Sequence, residues 1–307
     1  MKTKSNLARI LETGQFAVTA ETSSPQNTDF ETIREKVNLI KGYVDAFNVP
    51  DGQAAVVAMA SWAVCLVGME EGIDAIAHMT CRDRNRIALQ MDILAVSAFG
   101  INNILCLSGD PISFGNHPEA KSVFDLDSIQ LIRMVKKLRD ERKFDNGESI
   151  VGTEPRLFIG AALNPFTKPS ESAVGRLKNK VTAGADFVQT QPIYNIEEFK
   201  KWMELLRTEG LHKEVKILAG ITPVTSLAAA RYMKTKIPDV DIPEIIIERF
   251  KKARNKEEAA EEGLRIAVET IQHLKQIEGV SGVHIMTLQR EELIPKICKA
   301  AGLYPRP

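Results

Sequence analysis

Short apolar runs rich in β-branched residues alternate along the chain with longer segments of helical period. The short runs fall at residues 16–20, 46–49, 75–80, 103–107, 157–161, 187–190, 215–219 and 283–286. Most are continuous rather than alternating, the pattern of parallel strands covered on both faces. The segments between them carry helix signals. Asp83 precedes a segment that puts Ile87, Met91, Leu94 and Ala98 on one inward face, closed by Gly100. Asn195 with Glu198 has capping-box spacing, followed by Ile196, Phe199, Trp202 and Leu206 on one face and a stop at Gly210. Asn255 with Glu258 opens a longer helix with Leu264, Ala267, Ile271 and Leu274 inward, ending at Gly279, and a last helix covers 291–301.

Eight strands alternating with at least as many helices in 307 residues predict an α/β chain of the (β/α)8 TIM-barrel class, a single domain over residues 1–307. A doubly wound open sheet shares the alternation. Against it, no G-x-G-x-x-G follows the first strand, and no composition break or linker divides the chain. Loops 111–122 and 143–154 read as insertions on the barrel.

Composition changes this picture little. The chain is 44% hydrophobic and 26% charged, ordinary globular usage. Lys plus Arg equal Asp plus Glu at 40 each, so no global field points to nucleic acid or an acidic membrane surface. Basic stretches such as 136–139 fall on helical patterns and read as solvated faces. Cys65, Cys81, Cys106 and Cys298 lie far apart without a C-x-x-C pair. That argues against a zinc or iron–sulfur site on this chain, hence no metal, and fits a reducing cytoplasm. Residues 1–11 lack the apolar core of a signal peptide. The run 54–69 is almost wholly apolar, too short to span a bilayer comfortably, and reads as a buried helix, with an interface helix as the alternative.

In a barrel, chemistry gathers where strands end and their following loops begin. Strand one delivers Glu21 there; strand two Asp51, Gly52 and Gln53; strand three His78, Thr80 and Asp83. Strand four ends in Ser108, Gly109 and Asp110, strand five in Asn164, strand six in Gln189, Thr190 and Gln191. Strand seven ends in Gly220 and Thr222, strand eight in Thr287, Gln289 and Arg290. So many hydrogen-bonding groups on one rim suit a large polar ligand. Plainer readings stand beside these. Asp83 reads as a helix cap, Asp51-Gly52 and Gly109-Asp110-Pro111 as turn chemistry, and His78 as a core histidine. Glu21 resists a plain reading better: the next helix begins near Asp29, too far on for Glu21 to cap it, and a glutamate closing an inner strand needs a partner or a purpose.

Six blocks of the sequence resemble the methylenetetrahydrofolate reductase family, in family order, between about Phe16 and Tyr304. They are Ala20-Glu21-Thr22-Ser23-Ser24-Pro25; His78-Met79-Thr80-Cys81; Ser108-Gly109-Asp110-Pro111; Lys180 to Asp186 leading to Thr190-Gln191; Ala219 to Val224; and Thr287-Leu288-Gln289-Arg290. The resemblance implies a barrel binding flavin and folate, and flavin-mediated reduction of 5,10-methylenetetrahydrofolate to 5-methyltetrahydrofolate. It makes Glu21 the general acid that protonates the bridging nitrogen N10, which requires a raised pKa. Asp110 matches the aspartate that hydrogen-bonds the pterin and tunes the flavin. Gln191 matches an amide shared by folate and nicotinamide, and Arg290 the residue that contacts the folate tail. His78, Ser108, Gly109 and Lys180 match flavin-contacting positions, Lys180 near the phosphates. The implied cofactor is non-covalent FAD, with FMN as the alternative.

Three positions depart from the family pattern. Leu227 stands where an aromatic stacks on nicotinamide or folate, Pro50-Asp51-Gly52 replaces a Thr-Tyr-Gly loop, and the tyrosine after strand five is lost near Leu163-Asn164. All three touch electron input. The loop at 108–111, the phrase 124–128 and the Thr-Gln-Pro of strand six resemble the acetogen branch, whose flavin subunit pairs with an iron–sulfur and zinc protein. The electron donor is therefore expected to be such a partner rather than NAD(P)H, in an oligomer or hetero-complex, with 54–69 a candidate contact. Two competing readings are a flavin-free pterin-binding subunit serving a methyltransferase and a Schiff-base lyase. The lyase lacks a lysine at an inner strand end, Lys216 opening strand seven at the wrong end.

Overall fold

The computed structural model describes residues 3–237 and 240–306; the extreme ends of the expected domain, 1–2 and 307, lie outside the described residues. The strands are β1 (Ala17–Glu21), β2 (Ala46–Val49), β3 (Asp74–Thr80), β4 (Asn103–Leu107), β5 (Phe158–Leu163), β6 (Phe187–Pro192), β7 (Lys216–Ile221) and β8 (Val280–Ile285). All neighbours pair in parallel and in chain order, and β8 returns to β1 through Val18↔Val283 and Thr19↔His284, closing the barrel. The helices are α1 (Asn6–Glu12), α2 (Phe30–Ile40), α3 (Ser61–Glu70), α4 (Arg86–Ala98), α5 (Ser128–Lys136) and α6 (Ser170–Ala183). After them come α7 (Ile196–Thr208), α8 (Leu211–Glu214), α9 (Leu227–Lys236), α10 (Glu244–Lys251), α11 (Lys256–Leu274) and α12 (Leu293–Ala300). The expected TIM barrel is the observed one.

Side chains alternate across a strand, so every second residue of each strand faces the barrel axis. At the amino-terminal end those residues are Ala17, Ala46, Ile76, Leu105, Phe158, Phe187 and Leu218, which form one apolar cluster with Leu7, Ala8, Ile10 and Leu11 of α1. Helix α1 thus plugs the bottom. Its start is fixed by Ser5, whose hydroxyl accepts from the Ala8 N–H at 2.9 Å. The outward strand faces and the surrounding helices make the largest core, and α9, α10 and α11 enclose a smaller one around Val224, Ile246 and Phe250. With its bottom closed, the barrel is open at the carboxyl ends of its strands.

Several local expectations are corrected. Helix α4 turns Leu89, Ile93 and Val96 inward and leaves Ile87 and Met91 about two-thirds exposed. Both faces of α4 are apolar, so periodicity could not choose between them. Asn85, not Asp83, caps α4, accepting from the Ile87 and Ala88 N–H groups, while Asp83 pairs with Arg82 at 2.7 Å. The run 54–69 is not one helix; a turn at Gln53–Ala55 and an extended stretch precede α3. The helix expected at 291–301 starts at Leu293, because Glu291 is bonded to the β1 loop instead. Asn195 and Asn255 cap α7 and α11 as expected, and α11 ends at Leu274.

Candidate active site

The open end of the barrel holds a cavity of about 850 Å³, lined by the carboxyl ends of the strands, their loops and one side of α9. Its floor is a layer of polar side chains directly above the apolar plug. The Asn48 amide donates to Gln189 Oε1 at 2.7 Å and to His78 Nε2 at 2.9 Å. Gln189 Nε2 in turn meets Asn48 Oδ1 at 3.0 Å, the Thr19 hydroxyl at 3.0 Å and His284 Nδ1 at 3.2 Å. The Asn48 amide nitrogen can only donate, so His78 Nε2 must offer it a lone pair, and protonation there would set N–H against N–H in a buried site. His284 Nδ1 also lies 3.0 Å from the Thr19 hydroxyl. Burial pushes His78 down to about 4, against the opposing pull of Asp51, and pushes His284 down to about 3, helped by His78.

Glu21 stands two residues beyond Thr19 on the same inward face of β1, one level above this layer. Burial, then the negative charge of Glu291, push its carboxyl up to about 7, while a hydrogen bond from Gln53 works the other way. A carboxyl poised near neutrality in a cavity wall can carry a proton in and give it up there.

Beside it, Asp51 anchors the rim. Its carboxylate accepts the N–H and hydroxyl of Thr80, both at 2.9 Å, and both prongs of the Arg84 fork at 2.7 and 3.1 Å. Burial alone would raise this carboxyl; the Arg84 and Thr80 bonds outweigh it and hold it below its ordinary value. Asp51 is thus more than turn chemistry, since it ties the loop after β2 to the end of β3. The loop after β4 crosses the same region with Gly109 at φ +94°, where an added Cβ would meet Arg82 Cβ at 2.9 Å and Thr80 Cβ at 3.1 Å. Asp110 reaches back to accept the Ala54 N–H at 2.8 Å. Ala54 (φ 53°) and, across the mouth, Leu288 (φ 52°) both hold left-handed backbones that ordinary residues avoid, a form of strain common at ligand sites.

Of the nine residues to which the family resemblance gave a place in the site, six, Glu21, His78, Ser108, Gly109, Asp110 and Gln191, meet in this wall. Gln191 is placed by an irregularity: the β6–β7 register shifts between Gln189 and Pro192. There Thr190 Oγ accepts the Gly220 N–H at 2.9 Å, and a Cβ on Gly220 would lie 2.3 Å from the Thr190 carbonyl oxygen.

Three others lie outside the wall. Lys180, on α6, donates to the carbonyl of Ala162, which itself lines the cavity; burial lowers its pKa. Arg290 pairs with Glu292 at 3.1 Å on the rim. Leu227, half-buried at the start of α9, packs against the small α9–α11 core, and α9 presents Ala228, Ala229, Tyr232 and Met233 to the cavity instead. The sequence reading missed Thr19, Asn48, His284, Arg82 and Tyr232. A period-2 signal could have found three of them, since Thr19 with Glu21, Asn48 with Pro50, and His284 with Met286 occupy alternate inner positions. Among the described residues no group of three or more His, Cys, Asp or Glu could hold a metal, and no helix is long and apolar enough to cross a membrane.

A closed eight-stranded parallel barrel, plugged below and opening above into a large cavity, defines a (β/α)8-barrel protein whose candidate site lies at its carboxyl-terminal mouth. Residues 6–302 match the family model for methylenetetrahydrofolate reductase, and the chain belongs to that family. Among curated relatives, it is 28% identical over 235 residues to the 5,10-methylenetetrahydrofolate reductase of Pectobacterium carotovorum, covering 76% of this chain and 72% of that protein. It is 27% identical over 237 residues to methylenetetrahydrofolate reductase 2 of Schizosaccharomyces pombe, covering 75% of this chain but 36% of that protein. The match thus spans about a third of the fission-yeast and nematode relatives' length. A solved structure from Clostridium thermocellum, described as binding two copies of 5-methyl-5,6,7,8-tetrahydrofolic acid, shares the fold with a TM-score of 0.64 at 15% identity, over 97% of this chain and 98% of that one.

Proposed function

We propose that this chain reduces 5,10-methylenetetrahydrofolate to 5-methyltetrahydrofolate, with a non-covalent flavin as its redox group and Glu21 as its proton donor. The observation that carries this reading is Glu21 itself, a carboxyl held near 7 in the wall of the cavity of about 850 Å³ at the barrel's open end. Opening the folate's five-membered ring needs an acid at nitrogen N10 that is still protonated at neutral pH, and an ordinary glutamate is not.

The site fits a flavin. The mouth is large enough for planar rings to stack. Gly109 lets the loop after β4 pack directly on Arg82 and Thr80 in the cavity wall, where any Cβ would crowd them. The wall supplies backbone and side-chain donors at Ser108, Gly109 and Arg82. Bound there, FAD or FMN would supply hydride to the folate's one-carbon unit. Lys180 would reach cofactor phosphates only by releasing the Ala162 carbonyl.

The chain's own residues then divide the work. Glu21 gives its proton to N10. Asp110, on the loop after β4, and Gln191, near the end of β6, orient the pterin by hydrogen bonds. Arg290, paired only with an exposed Glu292, can exchange that partner for a folate carboxylate. The neutral His78–Asn48–Gln189–His284 layer keeps the floor polar without placing a competing charge beneath Glu21.

For electron supply we propose a reduced iron–sulfur partner in preference to NADH or NADPH, because Leu227 is aliphatic, packs against the α9–α11 core and offers no ring to a nicotinamide. The test is the visible spectrum of the purified protein under anaerobic conditions, followed on adding NADH, NADPH or a reduced ferredoxin-type protein. A flavin spectrum that bleaches with the iron–sulfur donor and not with the nicotinamides is expected. A colourless protein that takes up neither FAD nor FMN would overturn the flavin assignment and favour a pterin-binding subunit.

A further inference from the structure

Asn48, His78 and Gln189 stand one level above the apolar plug, each two residues beyond a plug residue (Ala46, Ile76 and Phe187) on β2, β3 and β6. Strands β2 and β6 lie opposite each other in the ring, so Gln189 reaches Asn48 across the barrel axis. The two amides pair head to tail: Asn48 Nδ2 donates to Gln189 Oε1 at 2.7 Å, and Gln189 Nε2 donates to Asn48 Oδ1 at 3.0 Å. Both side chains are buried. Turning over either amide alone would set N–H against N–H and oxygen against oxygen with no water to relieve them. The pair therefore holds both amides in one relative orientation, and the second N–H of Asn48 is left for His78 Nε2, 2.9 Å away.

A neutral imidazole has one N–H and one lone pair, and the bond made by one nitrogen decides what the other presents. With Nε2 accepting from Asn48, the proton of His78 sits on Nδ1. Burial keeps the ring uncharged, its pKa pushed down to about 4. Among the described residues no protein group bonds Nδ1, and that nitrogen is not sealed in: it opens on the cavity whose wall includes His78. His284 differs. Its Nδ1 meets the Gln189 amide at 3.2 Å and the Thr19 hydroxyl at 3.0 Å, and a hydroxyl can give or take a proton, so no neighbour forces its tautomer.

We propose that Asn48 and Gln189 are positioning residues for His78: their amide pair fixes the imidazole as its Nδ1–H tautomer, so the cavity floor offers one uncharged donor. Such a floor selects a ligand that sets a hydrogen-bond acceptor against it, a carbonyl oxygen or an unprotonated ring nitrogen of a heterocycle, and disfavours one that presents an N–H there. Flavin and pterin rings both carry acceptors of this kind. The family resemblance placed His78 against a flavin; the layer beneath adds which nitrogen makes the contact, in which state, and which residues set it. The ligand half of the proposal rests on the reading of this cavity as a flavin and folate site; the tautomer half does not.

The experiment is long-range 1H–15N correlation NMR of the full protein labelled with 15N-histidine. The chain has five histidines, and His78→Gln identifies the resonances that belong to His78. In the ligand-free wild type, Nε2 of His78 should resonate as an unprotonated nitrogen and Nδ1 as a protonated one. Asn48→Asp puts an acceptor where the N–H stood and should place a proton on Nε2. Gln189→Met frees the Asn48 amide to turn over and should give a mixture of the two tautomers. Adding 5-methyltetrahydrofolate, and separately FAD or FMN, tells the two sources apart: the ligand whose acceptor sits on His78 should move the Nδ1–H proton resonance downfield. A wild-type His78 protonated on Nε2 would overturn the proposal, as would an unchanged tautomer in both Asn48→Asp and Gln189→Met. Folate and flavin that both bind and both leave the Nδ1–H resonance unmoved would overturn its ligand half. A protein that binds neither would contradict the functional reading and leave the tautomer assignment standing.

Discussion

Glu21 is costly to keep, and the cost has a sign. Its carboxyl is raised from its ordinary 4.5 to about 7, so the folded protein binds this proton more tightly than the unfolded chain does. Stability is therefore unpenalised below about pH 4.5, declines as the pH rises toward 7, and stays reduced above it. The full penalty is on the order of 3 kcal/mol. Replacing the acid with an amide removes it. Urea midpoints of wild type and Glu21→Gln should shift in the variant's favour between pH 4.5 and pH 8; a difference constant across that range would contradict the raised proton affinity. The two histidines carry the opposite sign. Held at about 4 and about 3, they lose stability as the pH falls below their ordinary 6.5, in both proteins alike, so the comparison isolates Glu21. Glu21 was legible in the sequence because a glutamate closing an apolar inner strand has no cap or solvent to serve. His284 was not, since one histidine in an apolar run reads as core, and its meaning comes from Gln189 and Thr19 on other strands.

The inner face of each strand reads apolar at the bottom and polar toward the top, as in Ala17, Thr19 and Glu21 on β1 or Phe187, Gln189 and Gln191 on β6. Read as continuous runs, these strands revealed their existence and order but concealed the polar floor. Helix α4 concealed its orientation, because Ile87 and Met91 on its exposed side are as apolar as Leu89 and Ile93 beneath it. The bulge that places Gln191 was also invisible, being a relation between β6 and β7 rather than a property of either. That relation depends on Gly220. Gly220→Ala would press a methyl against the Thr190 and Gln191 backbones, where the nearest atoms are 2.3 and 2.7 Å from the ideal Cβ position. Because backbone cannot swing aside as a side chain can, chemical denaturation should show a loss of about 1–3 kcal/mol. The Kd for 5-methyltetrahydrofolate, measured by calorimetry, should rise as Gln191 shifts. An alanine variant with wild-type stability and affinity would mean that the seam yields without moving the rim.

At the scale of the whole molecule, chemistry is confined to one end because the other is filled. Helix α1 and the lowest inner layer seal the bottom with apolar side chains, the amide–imidazole layer lies above them, and the titrating carboxyl sits higher still, beside the cavity. Barrel class and site location were legible from the alternation of strands and helices and from the polar residues at strand ends. Arg290 and Lys180 stood out as well, yet each is bonded elsewhere in the folded chain. A resemblance in sequence aligns residues; it does not report the partners they have in the absence of ligand. We propose that this barrel delivers a proton from Glu21 to a folate nitrogen as the one-carbon unit is reduced. Its most direct test is a single turnover: the protein, reduced in advance, is mixed with 5,10-methylenetetrahydrofolate at pH 7, and 5-methyltetrahydrofolate is quantified over time in wild type and Glu21→Gln. Loss of a general acid should slow the variant by roughly 10²–10⁴-fold while leaving it able to accept electrons. Product formation by Glu21→Gln at close to the wild-type rate would contradict the account.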